Sequence, residues 1–216
     1  MDGVDKLLKA LNTDMEGFVK LVVESSLFFP KRDVLCQHDK IGREWIENTG
    51  NLYARRSRNL EIQKIEDKKV YFIHTSGNRW IKLDAYGNNE ISKLLRNDYG
   101  LNVDHGVASN LHNYNISHIW GKASDPRFFA NLWNVVLIPS WANFLMDKNS
   151  KNENARRLQE TFRAISHDYY VFPELSFDRF DMPSPIVNWD EVIVGQYSIH
   201  FMRGDCITVI INNKHE

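Results

Sequence analysis

The amino-acid sequence predicts a single α+β domain of 216 residues, and three observations lead to that fold class. Apolar residues recur at helical spacing near the N-terminus, short β-rich runs occupy about 52–85, and a β-hairpin pattern closes the chain. Hydrophobic residues make up 43% of the chain, which is enough to bury a full core. The length suits one compact domain, so we expect a single unit over residues 1–216.

Two helices are predicted within the first thirty residues, because the apolar side chains there recur every three or four positions. These side chains are Val4, Leu7, Leu8 and Leu11 in the first helix and Phe18, Val19, Val22 and Val23 in the second. Thr13 and Glu16 have the spacing of a capping box, in which the hydroxyl and the carboxylate each satisfy a free backbone N–H. The second helix is therefore expected to begin near residue 14.

The middle of the chain has the pattern of a small sheet followed by a helix. The runs 60–65, 70–75 and 79–83 are rich in β-forming residues and are separated by charged or glycine-containing turns, which predicts an antiparallel meander. Residues 88–98 then have helical spacing, and Gly100 provides a glycine stop after them.

The C-terminal third predicts one more helix and a hairpin. Residues 153–165 have helical spacing. Residues 192–201 and 206–212 are β-rich and flank a four-residue connection that contains Gly204, which is typical of a β-hairpin.

Several classes of protein are excluded by composition. No apolar run approaches the roughly 18–20 residues of a membrane-spanning helix, and the first five residues lack the features of a signal peptide. We therefore expect a cytoplasmic protein without a membrane segment. Cys36 and Cys206 are 170 positions apart with no Cys-x-x-Cys pair, which excludes a disulfide framework and a cysteine-based zinc knuckle. Both thiols are expected to be reduced.

The net charge of −1 conceals an uneven distribution of charge. Residues 31–60 contain seven basic and four acidic side chains, whereas residues 166–194 contain six acidic side chains and a single arginine. The densest positive cluster is Arg55, Arg56 and Arg58. Such a cluster can follow the phosphates of a nucleic acid, but it can equally be a solvated face, and the charges alone leave both interpretations open.

Residues 110–150 differ from a generic core segment, because their pattern predicts a strand, a loop, a second strand and a helix. Residues 116–119 can end the first strand, and a polar loop leads to a second strand over 134–138. Pro139 and the serine after it then open a helix that runs through Asp147. The expected order is β-loop-β-helix.

The predicted helix carries two polar side chains on one face. Asn143 and Asp147 are four residues apart, so on an α-helix they project from the same side, one turn apart. There they could meet a residue at the end of the first strand.

This segment resembles the ββα-metal core of the HNH nucleases. That core has a His at the end of the first strand, an Asn early in the second, and a His or Asn on the helix nine residues later. The matching residues are His118, Asn134 and Asn143. Asn134 is sixteen positions after His118, and Asn143 is nine positions after Asn134. An Asn at the third position makes this an H-N-N variant. The resemblance covers about a fifth of the chain.

The resemblance implies a metal-dependent endonuclease with two catalytic residues. His118 would be the general base, since a neutral imidazole can take a proton from the water that attacks a phosphodiester. Asn134 would orient the loop and the base by hydrogen bonding. Asn143 would be a ligand of Mg²⁺ or another divalent metal, because such hard cations prefer oxygen ligands.

The chain departs from the family pattern at the residue before the base. The family commonly has Asp or His there as a second metal ligand, whereas this chain has Ser117, whose hydroxyl binds Mg²⁺ weakly. Asp147 is the other candidate for that second ligand. His112 is a further candidate for a phosphate or metal contact, and Asn131 offers an alternative frame for the central Asn.

The predicted core also lacks the zinc-knuckle cysteines that brace many HNH domains. Aromatic packing would have to hold the motif instead. The side chains expected to do so are Trp120, Trp133 and Trp141.

The resemblance further implies that the substrate is double-stranded DNA, and the size of the chain fits a stand-alone type II restriction endonuclease. A homing or modified-DNA-dependent HNH nuclease, or a non-catalytic DNA-binding module, is the alternative. Residues 1–109 and 151–216 would supply DNA docking, specificity or dimerisation, and a palindromic site would be matched by a homodimer. The expected DNA contacts are Arg55, Arg56, Arg58 and Lys148.

Overall fold

The computed structural model describes residues 3–55, 61–64, 71–75, 79–84, 87–103, 111–146, 152–170, 175 and 177–212. Within these ranges the helices are α1 Gly3–Leu11, α2 Met15–Glu24, α3 Lys31–Glu47, α4 Asn89–Tyr99, α5 Pro126–Phe129 and α6 Glu153–Tyr170. The strands are β1 Leu27–Phe28, β2 Tyr53–Arg55, β3 Glu61–Lys64, β4 Tyr71–Thr75, β5 Arg79–Asp84, β6 Tyr114–His118, β7 Val135–Pro139, β8 Gly195–Phe201 and β9 Cys206–Ile211. Helices and strands are mixed along the chain, which confirms the predicted α+β class.

The core is built on a five-stranded sheet with the order β6-β7-β1-β8-β9. The short strand β1 pairs antiparallel with β7 and parallel with β8, so it joins the β6–β7 hairpin to the predicted C-terminal hairpin β8–β9. All five residues of β7 are buried. Such a continuous apolar run is expected of a strand covered on both faces. The hairpin that carries His118 and Asn134 is therefore fixed in the middle of the protein.

Helix α6 is packed against this core along one face. Phe162 stacks on Phe28 with ring centroids 5.9 Å apart, and the hydroxyl of Tyr170 donates to the carbonyl of Phe29 at 2.6 Å. The helix extends to Tyr170, five residues beyond the predicted end at 165. None of the helices in the described part of the chain has the length and apolar character that crossing a membrane requires.

A second sheet has the order β2-β5-β4-β3. Strands β3, β4 and β5 form the predicted antiparallel meander, and β2 adds to its edge in parallel with β5. Ala54 and Ile81 make a small apolar core of their own in this sheet. The backbone N–H of Arg55 donates to the carbonyl of Ala123 at 2.8 Å, so β2 is tied to the loop of the β6–β7 hairpin.

The cap of α2 differs from the predicted capping box. Asp14 is the N-cap residue, and its carboxylate accepts from the N–H of Gly17 at 2.8 Å. Thr13 is one residue too early, because the capping side chain belongs to the extended residue directly before the first helical turn. The prediction that Thr13 and Glu16 cap this helix is wrong, although the start of the helix at Met15 agrees with it.

Helix α3 was not predicted, and it takes up much of the basic segment 31–60. Its buried positions are Val34, His38, Ile41 and Gly42, which repeat at intervals of three or four. Two of these buried positions are occupied by His38 and Gly42, which are not counted as hydrophobic residues. The helical spacing of apolar residues is therefore weak in this segment, and the sequence did not indicate the helix.

The structure also corrects the helix predicted after β7. Strand β7 continues through Pro139, and the next residues form a 3₁₀ turn over Asn143–Leu145 with bonds that span three residues, such as Met146 N–H to the carbonyl of Asn143 at 2.9 Å. The α-helix that follows the hairpin is α6. The prediction that Asn143 lies on an α-helix is therefore wrong, and Asp147 lies outside the described residues.

Packing of α3 against the 3₁₀ helix Asp178–Phe180 gives a test of the fold. A Cβ atom on Gly42 would lie 2.2 Å from Cγ of Phe180. We expect Gly42→Ala to lower the free energy of unfolding by about 1–3 kcal/mol through overpacking, despite the better helix propensity of alanine. Urea denaturation measures this, and Lys40→Ala at an exposed position of the same helix is the control, expected within about 0.5 kcal/mol of wild type. Full stability of Gly42→Ala would contradict the close packing of Phe180.

Candidate functional site

His118 is the last residue of β6, and it lies opposite Val135 at the start of β7. The loop 119–134 therefore begins directly after it. Its side chain is only 9% exposed, and its ring stacks on Phe129 with centroids 5.5 Å apart. The predicted position of His118 at the end of the first strand is confirmed.

The surroundings of His118 fix its tautomer. Nε2 lies 3.0 Å from the carbonyl oxygen of Phe129. Because a carbonyl can only accept, Nε2 carries the proton and donates it, and Nδ1 has the free lone pair. The pKa of His118 is lowered to about 4, mainly by burial; the bond to Phe129 raises the pKa, and the charge of Arg55 adds a smaller lowering. The imidazole is neutral at pH 7, as a general base must be.

Asn134 holds the loop together from within the core. Its side chain is fully buried, its Oδ1 accepts from the N–H of Trp120 at 2.8 Å, and its Nδ2 donates to the carbonyl of Phe128 at 3.0 Å. The two contacts join the beginning of the loop to its middle. The next residue, Phe129, provides the carbonyl that orients His118. Asn134 therefore positions the imidazole indirectly, through Phe128.

Asn131, the alternative central Asn, belongs to a different network. Its Nδ2 donates to the carbonyl of Arg127 at 3.2 Å and lies 3.1 Å from Nδ1 of His38 on α3. The indole N–H of Trp133 donates to the same His38 nitrogen at 3.1 Å. This network joins α3 to the far part of the loop, so the geometry favours Asn134 as the residue that orients the end of β6.

Aromatic side chains and α6 support the loop. Trp120 and Trp133 are buried with ring centroids 5.4 Å apart, as predicted for packing inside the motif, whereas Trp141 is 46% exposed. From α6, Nε of Arg163 donates to the carbonyl of Ile119 at 3.1 Å, and the hydroxyl of Ser166 donates to the carbonyl of Trp133 at 2.6 Å. Both ends of the loop are thus fixed to one helix.

Two of the predicted metal ligands, Ser117 and Asn143, lie in the described part of the chain, and the structure does not bring these two together beside His118. Ser117 is buried beside His118, but successive residues of a strand point to opposite faces. Asn143 comes four residues after Pro139, which pairs with Tyr114 at the other end of the hairpin. Tyr114 and His118 are four positions apart on β6, so the two ends of the strand are about 13 Å from each other.

A magnesium ion beside His118 would need oxygen ligands from this chain, preferably carboxylates. Asp147 and Lys148 lie outside the described residues, and His112 is exposed ahead of β6, where Asn113 has a φ of 62° that ends the regular strand. No group of three His, Cys, Asp or Glu side chains suited to a metal occurs among the described residues. These residues do not fit a magnesium site, so we assign no chemical step to a metal.

Arg55 is the predicted DNA contact that lies beside His118, close enough for its charge to affect the pKa of the imidazole. Its Nη2 donates to Oδ1 of Asn88 at 2.9 Å, and Nδ2 of Asn88 donates to the carbonyl of Ile116 at 3.1 Å. Sequence reasoning missed Asn88, which gives no signal beyond its place before a helix. Arg56 and Arg58 lie outside the described residues.

Comparisons with known proteins find one matching family. The sequence profile of the family described as "Uncharacterised protein PM1201" matches residues 31–215, a range that includes Arg55, Asn88, His118 and Asn134. The chain is also similar to "Uncharacterized protein PM1201" of Pasteurella multocida (strain Pm70), with 28% identity over 172 residues that cover 78% of this chain and 74% of the relative. No solved structure matches the chain.

The two side-chain bonds of Asn134 predict a loss of stability on truncation. We expect Asn134→Ala to lower the free energy of unfolding by about 1–3 kcal/mol, because it leaves the buried N–H of Trp120 without its acceptor and removes one of the donors to the carbonyl of Phe128. Urea denaturation measures the change. Asn143→Ala is the matched control, since Asn143 is half-exposed, and it is expected within about 0.5 kcal/mol of wild type. Equal losses for the two variants would contradict the bracing role.

The pKa of His118 predicts a loss of stability in acid. Its folded pKa of about 4 is below the ordinary 6.5, so protons bind the unfolded chain first and stability falls as the pH drops from about 6.5 to 4. At about 1.4 kcal/mol per pH unit, this residue alone contributes a loss of about 3 kcal/mol. His118→Gln should remove that part of the difference between pH 7 and pH 4, measured by urea denaturation at both, whereas His200→Gln at an exposed position should not. An identical pH dependence in wild type and His118→Gln would show that the imidazole is not buried.

Proposed function

The chain belongs to the family described as uncharacterised protein PM1201, and we propose that it is an endonuclease that hydrolyses phosphodiester bonds of double-stranded DNA at the His118 end of the β6–β7 hairpin. The observation that carries this proposal is the bracing of the loop by Asn134, with the carbonyl of Phe129 leaving Nδ1 of His118 as a proton acceptor. The order of a His that ends one strand and an Asn that directly precedes the next is close to the one on which the HNH resemblance was based.

In this reaction His118 acts as the general base. A water oxygen forms a bond to phosphorus, its proton passes to Nδ1 of His118, the bond to the 3′ oxygen breaks, and that oxygen takes a proton from solvent. A base works best when its pKa is near the working pH, and the pKa of His118 in the free protein is lower than that. The negative charge of a bound DNA phosphate would raise the pKa of His118 toward the useful range.

We also propose a requirement for Mg²⁺ or another divalent metal, and its support is the resemblance alone. The described residues beside His118 do not supply the ligands, as set out above. The same observation favours the second candidate function, a DNA-binding module whose hairpin has no catalysis. Cleavage of DNA by the wild-type protein would decide between the two functions.

Among nucleases, we propose a sequence-specific type II restriction enzyme, with a homing or modified-DNA-dependent nuclease as the alternative. The support is the resemblance of residues 110–150 to the HNH nucleases. A palindromic target would be matched by a two-fold dimer of this chain. Comparison of unmodified with methylated phage DNA, followed by sequencing of the ends, separates these enzyme types.

The proposal predicts a large effect of His118 on cleavage. We expect the wild-type protein with Mg²⁺ to cut duplex DNA and His118→Ala to be slower by 10²–10⁴, the usual loss of a general base, with DNA binding retained. The measurement is the initial rate of plasmid nicking, with and without excess chelator. His200→Ala, which changes an exposed histidine elsewhere, is the control and should cut at the wild-type rate. Full activity of His118→Ala would refute the assignment, and binding without cleavage by the wild type would favour the non-catalytic module.

A further inference from the structure

Arg55 is a partly buried cation, and among the described residues no carboxylate forms an ion pair with it. The carboxylate of Asp84, its register partner on β5, accepts from the N–H of Glu90 at 3.1 Å, among other contacts. Nε of Arg55 is buried, and the described residues provide no acceptor for it. A buried donor without an acceptor costs about 1–3 kcal/mol, and more when the group is charged. Such a group in a folded protein needs an explanation.

The position of Arg55 is fixed by contacts to the hairpin that carries His118. Its backbone N–H is bonded to Ala123 in the loop, and its Nη2 is bonded to Asn88. Asn88 is in turn bonded to the carbonyl of Ile116, two residues before His118 on β6. One amide thus connects the guanidinium to the strand, while Nε is left for another acceptor.

From this geometry we propose that Arg55 and His118 flank an anion site that takes a phosphate group, and that Asn88 is the positioning residue that holds the guanidinium there. The inference rests on the proposed function, in which the anion is the phosphodiester to be cleaved. A guanidinium suits this ligand because its planar N–H groups bind phosphate oxygens in pairs. The phosphate would satisfy Nε, compensate the charge of Arg55 and lie beside the base.

The choice of an amide at Asn88 has a chemical consequence. An amide oxygen accepts from Arg55 without cancelling its charge, so the guanidinium stays attractive to an anion. A carboxylate at the same place would also accept from Nη2, but it would form an ion pair and compete with phosphate. Asn88→Asp therefore retains the acceptor for Nη2 and adds a negative charge that competes with phosphate, and it also loses the donor to the carbonyl of Ile116.

The test compares phosphate binding with fold stability. We expect inorganic phosphate to shift the Nε–H resonance of Arg55 in the wild-type protein, and a DNA duplex of about twenty base pairs to compete with it. Affinity for phosphate should fall at least tenfold in Asn88→Asp and in Arg55→Gln. The thermal unfolding midpoint should stay close to wild type in Arg55→Gln, which leaves the bond from Asn88 to the carbonyl of Ile116 in place, and should fall in Asn88→Asp, which loses that bond. The salt dependence of duplex binding should become shallower by about one unit of slope in Arg55→Gln. Asn89→Ala, an exposed neighbour, is the matched control and should bind phosphate as the wild type does.

Failure of this inference and failure of the proposed function give different results. Unchanged phosphate affinity in Asn88→Asp or Arg55→Gln would overturn the anion site, even if the wild-type protein cuts DNA. Phosphate bound at Arg55 by a wild-type protein that does not cut DNA would support the site and overturn the endonuclease. If the anion site exists, His118→Ala should still bind phosphate, because the guanidinium and Asn88 are unchanged, and loss of phosphate binding in that variant would contradict the role of Arg55 and Asn88.

Discussion

The hydrogen bonds of the buried Asn134 amide are the constraint on which the candidate site depends. A long connection between two strands has many conformations, and ordering it costs entropy that local sequence preference does not offset. An amide can donate and accept at once, so a single buried side chain satisfies Trp120 at one end of the loop and Phe128 in its middle. The next carbonyl, that of Phe129, then sets the orientation of His118. The ordered loop thus fixes the orientation of the His118 ring at the end of β6.

Near the candidate site, the charge of Arg55 forms no ion pair with the described residues. His118 is neutral because burial disfavours its charged form, and the nearby Arg55 adds to that effect. Arg55 itself keeps its charge beside an uncharged amide and an uncharged ring. An anion between the two would stabilise the guanidinium and raise the basicity of the imidazole together. In the proposed reaction, a phosphodiester substrate would therefore raise the pKa of His118, its proposed general base.

The two sheets contribute different parts of this arrangement. The five-stranded sheet supplies the hairpin, and α6 fixes both ends of its loop through Arg163 and Ser166. The second sheet supplies Arg55 at the end of β2, joined to the loop at Ala123. The proposed anion-binding group and the proposed base thus come from separate sheets, so the distance between them is set by the packing of one sheet on the other and not by either sheet alone.

Elements that depend on short stretches of sequence could be predicted without the structure. The apolar period of α2, the glycine stop after α4 and the turn of the β8–β9 hairpin each lie within a short stretch, where backbone preferences act directly. The spacing of His118 and Asn134 was likewise sufficient to place them at the two ends of one loop. Other features of the candidate site depend on tertiary packing. The 3₁₀ turn at Asn143 depends on where β7 ends, and the contact between Arg55 and Asn88 joins residues 33 positions apart. Such contacts follow from how the sheets pack, and no local pattern in the sequence encodes that packing.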